Sequence, residues 1–278
     1  MLADLLIPRT GYRVRRNLAY GGDARQLLDL YIPTRLKELA PVLLYFYGGS
    51  WQSGSKAHYR FLGQAFASKG IVTAVADYRL YPPARFPDFV ADGALALRFI
   101  HENIASHGGD PSRIFLSGHS AGAYIATMLA ANASYLNAAK TSPEWIKGII
   151  GIAGPYDFLP LRDPKLIEIF HGKDDPNTQP IYFVDRKLPP MLLAHGGKDK
   201  TVSPRNATRM ATKLRSVDSH VDVIVYPGLG HIGIILSLVA GFRWLAPLRR
   251  DMLRFIAGLG AEPNSPIIGS VRGHPAKR

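Results

Sequence analysis

The pentapeptide Gly118-His119-Ser120-Ala121-Gly122 restricts the architecture of this chain more than any other stretch. It follows the apolar run Ile114-Phe115-Leu116 and precedes Ala123 to Ala131, a segment rich in small helix formers. A G-x-S-x-G at such a junction reads as a strand that turns sharply into a helix, with the serine presented on the turn. The flanking glycines suit that geometry, because a larger side chain would collide with the neighbouring strand or helix. Five residues arise by chance in many chains, so the reading rests on their surroundings.

Those surroundings alternate between two kinds of segment. Val42 to Phe46, Ile71 to Ala76, Ile114 to Ser117, Lys147 to Ala153, Met191 to His195 and Val221 to Tyr226 are short apolar runs of the kind expected from buried strands. Tyr59 to Lys69, Asp88 to Ile104 and Ser203 to Ser216 carry helical patterns between them. Ahead of these, Tyr12 to Tyr20 and Gln26 to Tyr31 flank Gly21-Gly22-Asp23 and read as an antiparallel hairpin. The alternation predicts an α/β fold, with a mostly parallel central sheet and helices on both faces. A chain of 278 residues, 47% hydrophobic and 20% charged, can bury one large core, so residues 1–260 are expected to form a single domain.

Two stretches break the rhythm. Residues Tyr156 to Leu188 carry Pro160, Pro164, Pro176 and Pro180 and lie between two strand ends. Ligands of open α/β sheets bind at strand carboxyl ends, so 156–188 reads as a small lid insertion or pocket wall. Residues 261–278, with three prolines and a basic end, read as a disordered tail.

Composition removes several functional classes. There are no cysteines, which excludes disulfides, thiolate metal sites and cysteine nucleophiles, and neither a metal nor a cofactor is expected. The formal net charge of +13 attracts nucleic acid, anionic lipid or acidic substrates. The arginine clusters at 13–16 and 243–254 lack the aromatic interleaving of a nucleic-acid module, so nucleic acid is not an expected partner. The longest apolar stretch, Ile232 to Phe242, is too short to span a bilayer, although contact with a membrane surface stays open. No positively charged start leads into a long apolar core, and a cytoplasmic location is the expectation.

A serine hydroxyl needs a general base, and the base needs an acid to hold its tautomer. In a fold of this kind the chain order is Ser, then Asp or Glu, then His. His231, in Gly228-Leu229-Gly230-His231 just past the last strand, is the best placed of nine histidines. Asp199, in His195-Gly196-Gly197-Lys198-Asp199 after the strand from Met191, is the first candidate for the acid. Asp157 is the second candidate and Asp175, within the insertion, a third. Donors for an oxyanion would be the backbone N–H of Ala121 and those of Gly48, Gly49 and Ser50, which follow the strand from Val42. Tyr47, Trp51, His119 and Tyr156 are candidate pocket residues.

Taken together these motifs resemble the α/β-hydrolase superfamily, and within it the carboxylesterase and hormone-sensitive-lipase-like group that includes kynurenine formamidases. Tyr47-Gly48-Gly49-Ser50-Trp51 is similar to that group's His-Gly-Gly-x-Trp oxyanion motif, and Asp77-Tyr78-Arg79-Leu80 to its Tyr-Arg-Leu signature. The resemblance covers about residues 12 to 258. It implies a triad of Ser120, Asp199 and His231, with the N–H groups of Gly49, Ser50 and Ala121 forming the oxyanion hole. Three positions depart from the pattern: Tyr47 stands for the histidine that braces the oxyanion loop, His119 for the aspartate before the serine, and Ala84 for an acidic residue.

The expectation is a serine carboxylesterase acting on short to medium acyl chains without a cofactor. Small-molecule or polymeric esters are the substrates in view. Two alternatives share the scaffold: an amidase acting on N-formylkynurenine or a related amide, and a non-catalytic ligand-binding protein.

Overall fold

The computed structural model describes residues 7–260; the tail expected at 261–278 lies outside them. The chain begins with the antiparallel hairpin β1 (Tyr12–Ala19) and β2 (Leu27–Pro33), and then alternates. β3 (Ala40–Phe46), α1 (Arg60–Ala67), β4 (Val72–Ala76), α2 (Asp88–Asn103), β5 (Gly109–His119) and α3 (Ala121–Ala131) follow in turn. After α4 (Ala133–Ala138) come β6 (Ile146–Ile152), α5 (Pro164–Ile169), β7 (Met191–Gly196), α6 (Arg205–Arg215) and β8 (Val221–Tyr226). Two helices, α7 (His231–Leu236) and α8 (Leu248–Gly260), close the described chain.

The eight strands form one sheet in the order β1-β2-β4-β3-β5-β6-β7-β8. From β4 to β8 every neighbouring pair is parallel, and β2, antiparallel to both β1 and β4, is the one strand that runs against the rest. Val42 to Phe46 of β3 is fully buried, as a strand covered on both faces requires. β1 lies at the edge and exposes Arg13, Arg15 and Arg16, charges that discourage another strand from pairing there.

In-register neighbours on parallel strands point to the same face, which divides the core in two. Phe46 of β3 faces α2 and α3, since a methyl at Gly93 of α2 would touch Phe46, Ile125 and Leu129. Phe115 of β5 points the other way and meets Phe255 of α8, with ring centroids 6.4 Å apart. Arg249 of α8 donates to the carbonyl of Ala65 in α1 at 2.8 Å, so these two helices share that second face.

Sequence and structure differ in several places, among them the helices α4, α7 and α8, which no pattern named above had indicated. β5 begins at Gly109, earlier than the apolar run indicated, because the backbone through Asp110-Pro111 continues the strand and Gly109 pairs with Ala40. The segment 156–188 holds more regular structure than its prolines indicated, with α5 and two 3-10 turns starting at Pro176 and Pro180. Proline supports such starts because it occupies a first-turn position where no donor is needed. Asn206 of α6 accepts from the backbone N–H of Tyr156 and Asp157, and Gln179 accepts from that of Phe158.

Candidate active site

Ser120 stands where β5 ends and α3 begins, with φ 54° and ψ −121°. A non-glycine residue with positive φ costs on the order of 1–3 kcal/mol and persists only where the surroundings impose it. Here the Ser120 N–H donates to Ile152 O of β6 at 2.9 Å, and Ser120 O accepts from Tyr124 of α3 at 3.1 Å. The glycines on either side permit the crowding. A Cβ at Gly118 would lie 2.2 Å from the carbonyl carbon of Gly122, and one at Gly122 would lie 2.0 Å from Phe46 O. The start of α3 is thus pressed against the end of β3, and Ala121, its first residue, offers an N–H without an intrahelical partner.

The loop leaving β3 runs along this turn. A Cβ at Gly48 would sit 2.9 Å from His119 Nδ1 and 3.0 Å from Ser120 Cβ, so the loop backbone touches the serine directly. Gly49, Ser50 and Trp51 have φ of 139°, 51° and 59°, a run of left-handed backbone that L residues seldom adopt. Gln52 and Ser53 donate to Gly49 O at 3.0 and 3.1 Å and close the loop on itself.

Tyr47 does not line a pocket. It is fully buried, stacked between Tyr59 and Tyr78 at centroid distances of 5.4 and 4.8 Å. Its hydroxyl donates to Asp77 Oδ1 at 2.7 Å and accepts from Arg25 Nη2 at 2.7 Å. Asp77 Oδ1 also accepts the N–H of Lys56 at 2.7 Å, and Tyr78 donates to Tyr47 O at 2.8 Å. Behind the glycines, therefore, the loop is anchored by a charged network that includes Arg25 and Asp77.

Asp199 and His231 are brought together from two adjacent strand ends. His231 Nδ1 lies 2.7 Å from Asp199 Oδ2, and Asp199 Oδ1 accepts from the N–H groups of Thr201 and Val202, both at 2.9 Å. The loops are tied to each other, since Lys198 N donates to Leu229 O and Gly197 N to Tyr226 O, both at 2.8 Å. The other acids are engaged elsewhere. Asp157 pairs with Arg209 Nη2 at 2.6 Å, and Asp175 accepts from Asn177 N at the start of a 3-10 turn.

Two further histidines converge on this pair. His119 Nε2 is 3.0 Å from His231 O, and the two rings lie 4.6 Å apart at 41°. Burial above all, reinforced by the neighbouring His231, pushes His119 down to about 3. The ring is neutral near pH 7, and its bond to a carbonyl places the hydrogen on Nε2. His195, fully buried, has Nε2 2.9 Å from Val202 O and 3.3 Å from Asp199 Oδ2, and burial lowers its pKa as well. Its position inside or at the end of a strand, four residues before Asp199, is the signal the sequence carries for it.

Trp51 and Tyr156, like Tyr47, are buried. Trp51 packs among Phe89, Tyr124, Phe158 and Phe170 at centroid distances of 4.9–6.1 Å. Tyr156 lies over β6, where a Cβ at Gly151 would meet its hydroxyl at 2.0 Å. Among the described residues Ser120 Oγ makes no hydrogen bond to His231, a contact that commonly tightens only when substrate is bound. No cluster of three or more His, Asp or Glu arranged to hold a metal occurs among the described residues.

The BD-FAE family model matches residues 28–214. A probable isoprenylcysteine alpha-carbonyl methylesterase of Arabidopsis thaliana is 31% identical over 252 residues, covering 81% of this chain and 58% of that protein. Esterase LipC of Mycobacterium tuberculosis is 30% identical over 245 residues, covering 79% and 60% respectively. The chain thus spans somewhat more than half the length of these relatives. In structure it is similar to a truncated carbohydrate esterase from gut microbiota, with a TM-score of 0.77, 21% identity and coverage of 91% and 98%. A Thermogutta terrifontis esterase superposes with a TM-score of 0.71 at 24% identity, covering 92% and 98%. The family match covers about two thirds of the chain and spans both the glycine loop and the serine turn, so the chain belongs to the BD-FAE family of carboxylesterase-like α/β-hydrolases.

Proposed function

We propose that this chain hydrolyses carboxylic esters of short to medium acyl groups through an acyl-enzyme on Ser120. The observation that carries this reading is the bonded Asp199–His231 pair, joined through His231 O to His119, the residue before the strained serine turn on which the Gly48 backbone packs. Ser120 Oγ attacks the ester carbonyl carbon as His231 Nε2 takes its proton, and Asp199 holds His231 in the tautomer that leaves Nε2 free. The carbonyl oxygen becomes an oxyanion facing the N–H groups of Gly49, Ser50 and Ala121. Collapse expels the alcohol, which leaves with the proton from His231, and water repeats the sequence to release the acid. The esterase names of the relatives support an ester as the bond cleaved.

The test is Ser120→Ala. The variant is expected to lose turnover of p-nitrophenyl esters and labelling by a fluorophosphonate probe. Residual activity above a few per cent of wild type would overturn the assignment of Ser120.

A further inference from the structure

Among the described residues seven large hydrophobic side chains are exposed, and four of them fall between residues 232 and 244. They are Ile232 at 58%, Leu236 at 38%, Phe242 at 37% and Trp244 at 79%. Ile232 and Leu236 stand one turn apart on α7 and therefore share a face. A tryptophan this exposed is uncommon on a water-facing surface, and a local group of such residues marks an interaction site. The group begins at the residue after His231, so whatever covers it lies beside the candidate catalytic histidine.

Charge distinguishes among possible occupants. On α8, which follows the group directly, Arg250 and Arg254 are exposed and both reach Asp251, at 3.6 and 3.9 Å; that one carboxylate, mostly buried and bonded to the Tyr226 hydroxyl at 2.9 Å, leaves the two arginines with a net positive charge. The chain as a whole carries a formal charge of +13. A second copy would bring the same cationic field against this one, whereas an anionic surface would neutralise it. An exposed tryptophan and aliphatics beside basic residues match the requirements of an interface with anionic lipid, where apolar groups enter the headgroup boundary and arginines meet phosphates.

We propose that the surface of Ile232, Leu236, Phe242 and Trp244, flanked by Arg250 and Arg254, docks the protein on an anionic phospholipid bilayer and holds the mouth of the site at the lipid surface. The attachment is peripheral, since no helix among the described residues is long and apolar enough to cross a membrane.

The experiment is cosedimentation of the full chain with vesicles of phosphatidylcholine alone or mixed with phosphatidylglycerol, at low and high salt. Ser120→Ala protein is run alongside wild type, so that the result does not depend on the catalytic reading. Binding is expected to the mixed vesicles, to weaken at high salt, and to fall roughly tenfold in Trp244→Ala. Arg250→Ala with Arg254→Ala is expected to lower it roughly tenfold as well. The fluorescence should shift to the blue on binding and lose that shift in Trp244→Ala, since Trp51 is already buried and Trp145 is half-buried and stacked on His101. Trp244, Arg250 and Arg254 are exposed, and Trp244→Ala should leave turnover of a soluble ester unchanged. Absence of binding to mixed vesicles at low salt overturns the proposal, as does binding that Trp244→Ala leaves intact. A concentration-dependent dimer dissolved by Trp244→Ala, without vesicle binding, would assign the surface to self-association instead.

Discussion

His119 is neutral in the folded protein but takes up a proton near neutrality once the chain unfolds, and that difference sets how stability responds to acid. Its folded value of about 3 lies below the ordinary value of 6.5, because burial and the adjacent His231 oppose a charge there. A group depressed in this way contributes stability that is fully present above 6.5 and is lost as the pH falls toward about 3. Below 6.5 the loss runs at about 1.4 kcal/mol for each pH unit, so acidification from about pH 7 to about pH 5 removes about 2 kcal/mol. For a chain of this size that corresponds to a fall in Tm of roughly 4–8 °C. Urea unfolding of wild type and His119→Gln at the two pH values measures it. His101, His107 and His195, also depressed by burial, titrate in both proteins and cancel in the difference. Wild type should lose about 2 kcal/mol more than the variant. Equal losses would show that His119 takes up its proton as readily in the fold as in the unfolded chain, which would refute the depression assigned to burial and to His231.

Tyr47→Phe removes the hydroxyl between Arg25 and Asp77 and is expected to lower stability by about 1.5–3 kcal/mol, with kcat reduced through a looser glycine loop. Denaturation and ester kinetics check it, and an unchanged unfolding curve would mean the network does not anchor the loop. Asp199→Asn should lower kcat by roughly 10⁴ through the wrong histidine tautomer. Asp157→Asn, whose carboxylate holds Arg209, should leave kcat near wild type, and the reverse outcome would exchange their roles. Gly122→Ala places a methyl 2.0 Å from Phe46 O and should cost at least about 3 kcal/mol, read as a lower Tm or lost soluble yield. A stable variant would contradict the close approach of α3 to β3.

The sequence by itself determined the features that depend on local pattern. Continuous apolar runs marked β3, β4, β6 and β7 because strands covered on both faces have no polar side, and Gly118 and Gly122 marked the turn because nothing larger fits there. Only the tertiary structure decided features that depend on contacts between distant segments. It brought Asp199 rather than Asp157 to His231, since two neighbouring strand ends set that distance and the sequence offers both acids at suitable ends. It turned Tyr47 inward to Asp77 and Arg25, and laid Tyr156 over β6, where chain position alone had placed both at a pocket. It also drew His195 and His119 onto the acid and the histidine loop, because a polar group buried by the fold must find its partner wherever the surrounding backbone leaves one.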